Sequence, residues 1–250
     1  ILRERYGAKN SRAMGMRMIA GGGGGGLTIQ QPENNIVRGA YYALASALSG
    51  TQTMALCSYD EAYTIPSEHA ATLSLRTMQI LIHEIGLCDT VDPLAGSYFV
   101  ETMTNEMEKK IVAIMDELDA QGGIVRGVAE GRVQAAVNQQ AYVREKDLQS
   151  GAIKKVGVNC FTEDEQPREV EFHPYREDEA KCQLERLARV KAGRDDARVK
   201  ALLEQVRAIA ASGSNVMPPI IDAVEAYATV GEVCGVLKGV FGTYREPVRF

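Results

Sequence analysis

Arg17–Asn35 reads RMIAGGGGGGLTIQQPENN, with six consecutive glycines between an apolar run and the start of a helical pattern. A glycine inside a regular element costs roughly 0.5–1 kcal/mol relative to alanine, because more backbone freedom is lost on folding. Six together mark either a slack surface loop or main chain that must lie close to something wide and flat. Upstream, AMGMRMIA (Ala13–Ala20) has the length of a strand leading straight into the glycines. Downstream, Pro32 fits a first helical turn, and the helix runs through IVRGAYYALASALSG until Gly50 stops it. TQTMALCS (Thr51–Ser58) is the next strand. After the SYDEAYTIP loop, Pro66 and Ser67 open a second helix that ends at Gly86. Strand, loop, helix, repeated, is the pattern of a parallel α/β sheet or barrel.

Two such units cannot close a sheet by themselves. They fit the C-terminal part of a (β/α)8 TIM-type barrel, and ILRERYGAKN at the start reads as the tail of a helix whose beginning is missing. In such barrels chemistry sits on the loops after the strands' C-terminal ends, which here are the glycine run and SYDEAYTIP. Residues 1–100 are therefore expected to hold closing strands and helices of a partial barrel. Residues 101–250 are expected to be a mainly helical extension, since SYFVETMTNEMEKKIVAIMDELDAQGG, GIVRGVAEG, RVQAAVNQQAYVREKDLQSG and the charged stretch from Glu177 all keep helical spacing. KVGVNCF and EVEFHPY read as short extended segments. The last segment, from Met217, reads as a helical pair broken near Gly231.

The 250 residues carry a net charge of −5 and 45% hydrophobic residues, the composition of a globular protein with a core. The charge gives no reason to expect nucleic acid as a partner, and no apolar run is long enough to span a membrane. The five cysteines include no CxxC pair, which fits reduced thiols in a cytoplasmic protein. The three histidines lie far from paired cysteines, so no metal site is expected.

Each motif has a bland reading beside a functional one. The hexaglycine is no P-loop, because LTIQQ follows where GK[ST] would be needed. It satisfies GxGxxG only trivially, and no acidic residue stands clearly where a dinucleotide site requires one. Asp60 and Glu61 suit equally the decoration of a helix N-terminus and a hydrogen-bond acceptor gripping sugar hydroxyls. His83 with Gly86 imitates part of DxHxxG, but Leu81 occupies the Asp position and the segment is helical. His69 and His173 read as structural or surface residues.

Seven blocks in order, YGAKNSRAMGMRM, LTIQQPENNIVRGA, GTQTMALCSYDEAYTIPSE, DTVDPLAGSYFVE, GGIVRGVAEG, VGVN and ATVGEVCGVLKGVFGTYREP, resemble the large-subunit family of methylmalonyl-CoA mutases. They cover nearly the whole chain and match the C-terminal half of that family's catalytic domain. The resemblance implies an adenosylcobalamin-dependent acyl-CoA mutase, in which the coenzyme lies between the barrel mouth and a separate cobalamin-binding domain and a radical rearranges the carbon skeleton of a CoA thioester. It also implies partners outside this chain: the acyl-CoA substrate, the N-terminal half of the barrel and a cobalamin-binding subunit or domain. Catalytic groups are expected upstream of Ile1.

By the same resemblance, Gly24 matches the glycine that lets main chain lie against the corrin. Glu61 matches a carboxylate that bonds the adenosyl ribose, and Thr64 falls where the family has a small cofactor-contacting residue. The family's loop usually reads His-x-Gln-Thr-x-Gly, and here Ile19 stands at the histidine position and Gly21 at the glutamine position. Two consequences are open: a mutase adapted to a bulkier acyl group, or a non-catalytic homologue that binds cobalamin or a mutase subunit.

Overall fold

The computed structural model describes residues 1–15, 17–87, 89–163 and 172–247. The chain divides into two compact units, one up to His173 and the other from Pro174 onward.

The first unit is α/β. Its sheet has two parallel strands, β1 (Ile19–Gly22) and β2 (Thr53–Leu56), with Ile19 opposite Thr53 and Gly22 opposite Leu56. No closed barrel is present among the described residues. The strand expected over Ala13–Ala20 is displaced. Asn10 caps Ser11–Met14 into a helical turn, α1, by accepting from the Arg12 N–H, and β1 begins only at Ile19 and takes in the first two glycines. Parallel pairing to β2 needs main-chain groups rather than side chains, so glycine satisfies it. The start of the chain does form a helical turn, with Arg5 N–H bonded to Ile1 O at 2.8 Å and Gly7 in a left-handed conformation.

Helix α2 (Asn34–Leu48) crosses between the strands and buries Asn35, Gly39 and Ala43, spaced four residues apart. Gly39 lets the helix approach the sheet closely: a Cβ there would lie 3.3 Å from Leu56 Cδ1. Helix α3 (Glu68–His83) starts where Ser67 accepts from the Ala70 N–H, and Gly86 follows it with a left-handed backbone. Three more helices follow in this unit: α4 (Tyr98–Ala120), α5 (Gly123–Ala129) and α6 (Arg132–Gln149). Arg5 pairs with Asp116 and Asp119 of α4. The KVGVNCF segment is a tight turn closed by a bridge between Val156 and Cys160 rather than a strand. EVEFHPY lies partly outside the described residues, and its described part has no regular structure.

The second unit is all helical: α7 (Glu177–Gly193), α8 (Asp196–Ser212), α9 (Met217–Glu225) and α10 (Val230–Phe241). Its core joins Val199, Val206, Ala223, Val233 and Val236, with Leu202, Leu203, Ile220 and Leu237 packed around them. The helical pair expected at the end of the chain is present, and its break comes at Ala226–Thr229, just before Gly231. Tyr227 takes a left-handed conformation, and Thr229 caps α10 in a reciprocal capping box with Glu232. Arg194 grips the same Glu232 through two hydrogen bonds of 2.8 and 2.6 Å. No helix among the described residues is long and apolar enough to cross a membrane.

Candidate functional site

Because β1 and β2 are parallel and in register, the segments after Gly22 and after Leu56 leave the same edge of the sheet. The glycine run is three structures in sequence. Gly21 and Gly22 belong to β1, Gly23 turns left-handed at φ 77°, and Gly24–Gly26 form one 3-10 turn in which Leu27 N–H bonds Gly24 O at 3.1 Å. Tyr42 of α2 packs against this turn. A Cβ at Gly23 would come within 2.6 Å of its ring, and one at Gly26 would strike its hydroxyl. Those two glycines are demanded by the protein's own packing. Gly25 and Gly21 differ: a Cβ at either would meet nothing within 4 Å. They present bare main chain to open space.

The second loop begins at Cys57, whose Sγ would sit 3.5 Å from a Cβ at Gly24. The Cys57 thiol is half-buried. Burial pushes this thiol above its ordinary range, and the charge and acceptor of Glu61 push it further, with the Gly24 N–H opposing. Glu61 Oε1 also takes the Ser58 N–H at 2.7 Å, while the rest of the residue is exposed. Glu61 is thus anchored at its base and open at its face. Asp60 is different, at 2% exposure. Its Oδ2 accepts from the Ser67 N–H at 2.9 Å and holds the loop to the start of α3. Burial separates these neighbouring acids: Asp60 secures the loop and Glu61 is exposed.

A residue that sequence reading passed over fastens the two loops together. Asn35, 1% exposed, gives its amide N–H groups to Thr28 O and Tyr59 O at 2.8 and 2.9 Å. Its Oδ1 accepts from the Thr28 N–H and from Arg38. Arg38 continues outward to Val156 O at 2.7 Å, and Gln31 bonds Phe161 O, so the VGVN turn is tied to the same base. Asn159 shapes that turn by accepting from the Lys155 N–H and donating to Leu148 O and Ile153 O. The available signal was a polar residue at a helix position whose partners four and eight residues on are Gly39 and Ala43, which is the buried spacing.

The site residues named from sequence divide accordingly. The fold sends the loops of Gly24 and Glu61 out at the same end of the strand pair, and the Cys57 sulfur lies 3.5 Å from where a Cβ on Gly24 would be. Ile19, 67% exposed, and Gly21 share one sheet face with Thr53 and Ala55, all of them exposed. Thr64 sits at the far end of the loop, where its N–H bonds Asp60 O and its hydroxyl accepts from the His173 N–H at 3.5 Å. Cys57, Asn35 and Tyr42 were not named from sequence. His83 ends α3 as helix, in keeping with its reading as a decoy.

The sequence model of the family described as methylmalonyl-CoA mutase matches residues 1–243. The chain is 42% identical to the 2-hydroxyisobutanoyl-CoA mutase large subunit of Aquincola tertiaricarbonis over 98% of its own length and 44% of that protein's. It is 36% identical to the methylmalonyl-CoA mutase of Cereibacter sphaeroides, over 88% of this chain and 31% of the relative. To the human mitochondrial methylmalonyl-CoA mutase it is 32% identical, over 98% of this chain and 33% of the relative. The chain thus spans less than half the length of these relatives. Seven motif blocks in order, a family match across nearly every residue and a parallel strand pair with both loops at one edge lead to one assignment: the chain belongs to the methylmalonyl-CoA mutase family, of the large-subunit type.

Proposed function

We propose that this chain supplies the closing part of the catalytic (β/α)8 barrel of an adenosylcobalamin-dependent acyl-CoA mutase. In this reading residues 1–100 complete the barrel and residues 101–250 form a helical extension toward a cobalamin-binding subunit or domain. The N-terminal half of the barrel, the catalytic groups and most of the CoA channel are supplied outside this chain. The observation that carries the reading is that the loops bearing Gly24 and Glu61 leave the same end of the parallel strand pair, beside bare main chain at Gly25. A wide, flat ring requires an approach that side chains would block, and Gly25 and Gly21 leave that space. The exposed Glu61 carboxylate, on the loop that leaves the same end of the strand pair, suits ribose hydroxyls, which donate hydrogen bonds. The residues present therefore fit the coenzyme.

When bound, adenosylcobalamin supplies an alkyl radical source for isomerising the thioester. This chain's own residues bind and orient: glycine main chain at Gly24 and Gly25 lies against the ring, Glu61 accepts from the ribose, and Thr64 borders the loop's outer end. The reading places the protein in the cytoplasm. The test uses the assembled protein. Titration with adenosylcobalamin followed by corrin absorbance should saturate, and incubation with acyl-CoA thioesters should yield a product of unchanged mass and altered carbon skeleton by NMR. Saturation without any product would favour the non-catalytic homologue, and no saturation would remove the proposal.

A second reading, a mutase for bulkier acyl groups, is favoured by the sheet face that carries Ile19, Gly21, Thr53 and Ala55. No large polar group occupies it. Replacing Ile19→His together with Gly21→Gln should then shrink the range of accepted substrates. If the double variant instead gains activity where the parent has none, the parent is an inactive homologue.

A further inference from the structure

We propose that α7 is a self-association surface, which pairs antiparallel with α7 of a second copy of this chain about a two-fold axis at Leu184. The helix adds nothing to the core of its own unit. That core joins α8, α9 and α10, whereas α7 buries no residue and every position from Glu177 to Arg189 is exposed. A helix of this length is marginal in water without packing, so a partner that covers one face stabilises it.

Such a face is present. Ala180, Leu184, Leu187 and Ala188 lie along one side at three- and four-residue spacing, with Leu184 67% and Leu187 36% exposed. Glu177 and Lys191 close the two ends of that same side, each seven residues from Leu184, a rise of about 10 Å. The stripe therefore reads acid, apolar, base. Turned end for end by a two-fold axis, it meets itself, with Glu177 against Lys191 of the second copy, Ala180 against Ala188 and Leu184 against Leu184. Paired in the same direction, it would set Glu177 on Glu177 and Lys191 on Lys191.

The other charges of the helix agree. Its first half carries Glu177, Asp178 and Glu179 against Lys181, and its second half carries Arg186, Arg189 and Lys191 against Glu185. This polarity also suits the helix dipole, but the dipole acts on every face and does not require opposite charges at the two ends of the apolar one. The neighbouring ion pairs join Arg176 to Glu179 and Arg194 to Asp196 and Glu232, so Glu177 and Lys191 are unengaged among the described residues. A stripe this short is smaller than a standard interface, and the dimer it makes is weak and concentration-dependent.

The test is zero-length carbodiimide cross-linking of the assembled protein across a concentration series, read by peptide mass spectrometry beside sedimentation velocity. Within one helix Glu177 and Lys191 are about 21 Å apart, too far for a direct amide, so a Glu177–Lys191 cross-link comes only from two copies. The expected result is that cross-link, growing with concentration, falling at high salt and lost in Leu184→Glu. Glu177→Lys and Lys191→Glu should each weaken association about tenfold, because two symmetry-related attractions become repulsions, and the double variant Glu177→Lys/Lys191→Glu should restore it. All three positions are exposed, and circular dichroism checks that the variants fold. A dimer without the Glu177–Lys191 cross-link, no concentration-dependent association at all, or single reversals that leave association unchanged would each overturn the proposal.

Discussion

At the scale of single residues, the glycine run shows how one repeated letter hides different physical demands. Gly23 needs a left-handed backbone and clearance under Tyr42, so Gly23→Ala should destabilise the chain by about 1–3 kcal/mol. Gly25 has neither constraint. Gly25→Ala should leave urea unfolding within about 0.5 kcal/mol of the parent while weakening corrin binding, because the new methyl occupies space needed by a flat ligand. Equal loss of stability at both positions would contradict this division. Asn35→Leu should cost roughly 2–4 kcal/mol, since it strands the buried Thr28 carbonyl and N–H and removes the clasp to the second loop. Equilibrium unfolding in urea measures it, with the change seen in midpoint rather than slope.

At the scale of elements, helix boundaries were the most legible part of the sequence. Ser67 and Ser97 cap α3 and α4 where a capping residue precedes an amphipathic run, and Gly50 and Gly86 stop the preceding helices. β1 was misplaced because AMGMRMIA offers apolar side chains of strand length, whereas the actual pairing is decided by main-chain register against β2. No side-chain pattern in GG announces a strand. The helix break near Gly231 was legible to within a few residues, though its residue is Tyr227 and not the glycine. The Thr229–Glu232 capping box instead draws Gly231 into the first turn of α10. That box carries a pH dependence. Arg194, followed by the Thr229 N–H, holds the Glu232 carboxyl far below the usual carboxylate range. Its contribution is complete above the unfolded value of about 4.3 and is lost as pH falls below it. Protection of α8 and α10 amides from hydrogen exchange should therefore decline progressively as pH falls below about 4, and less steeply in Glu232→Gln. Val206→Ala, in the same helical core, should cost roughly 2–3 kcal/mol.

At the scale of the whole molecule, the order of motifs identified the family, while the arrangement of the site required coordinates. Gly24 and Glu61 are 37 positions apart, and nothing in either segment alone puts their loops at one end of a sheet. Parallel pairing does so, since it sends both loops out at the same end. A two-stranded sheet with a largely exposed face is marginal by itself, and unpaired strand edges favour association with other chains. The isolated chain should therefore unfold over a broad temperature range and, on the proposed reading, gain cooperativity when an N-terminal half-barrel is supplied. A single sharp calorimetric transition of the chain alone would argue otherwise.

Tyr42 also separates length from architecture in the glycine tract. The tract is pinned upstream by Ile19 opposite Thr53, downstream by the Thr28–Asn35 clasp, and midway by the tyrosine ring. An added glycine can bulge outward at Gly25, where no neighbour opposes it, whereas a deletion would break the turn that Gly26 N–H and Leu27 N–H close. Added tract length becomes a dial for the breadth of the platform offered to a ligand, one that selection or an engineer can turn by whole codons without rebuilding the scaffold.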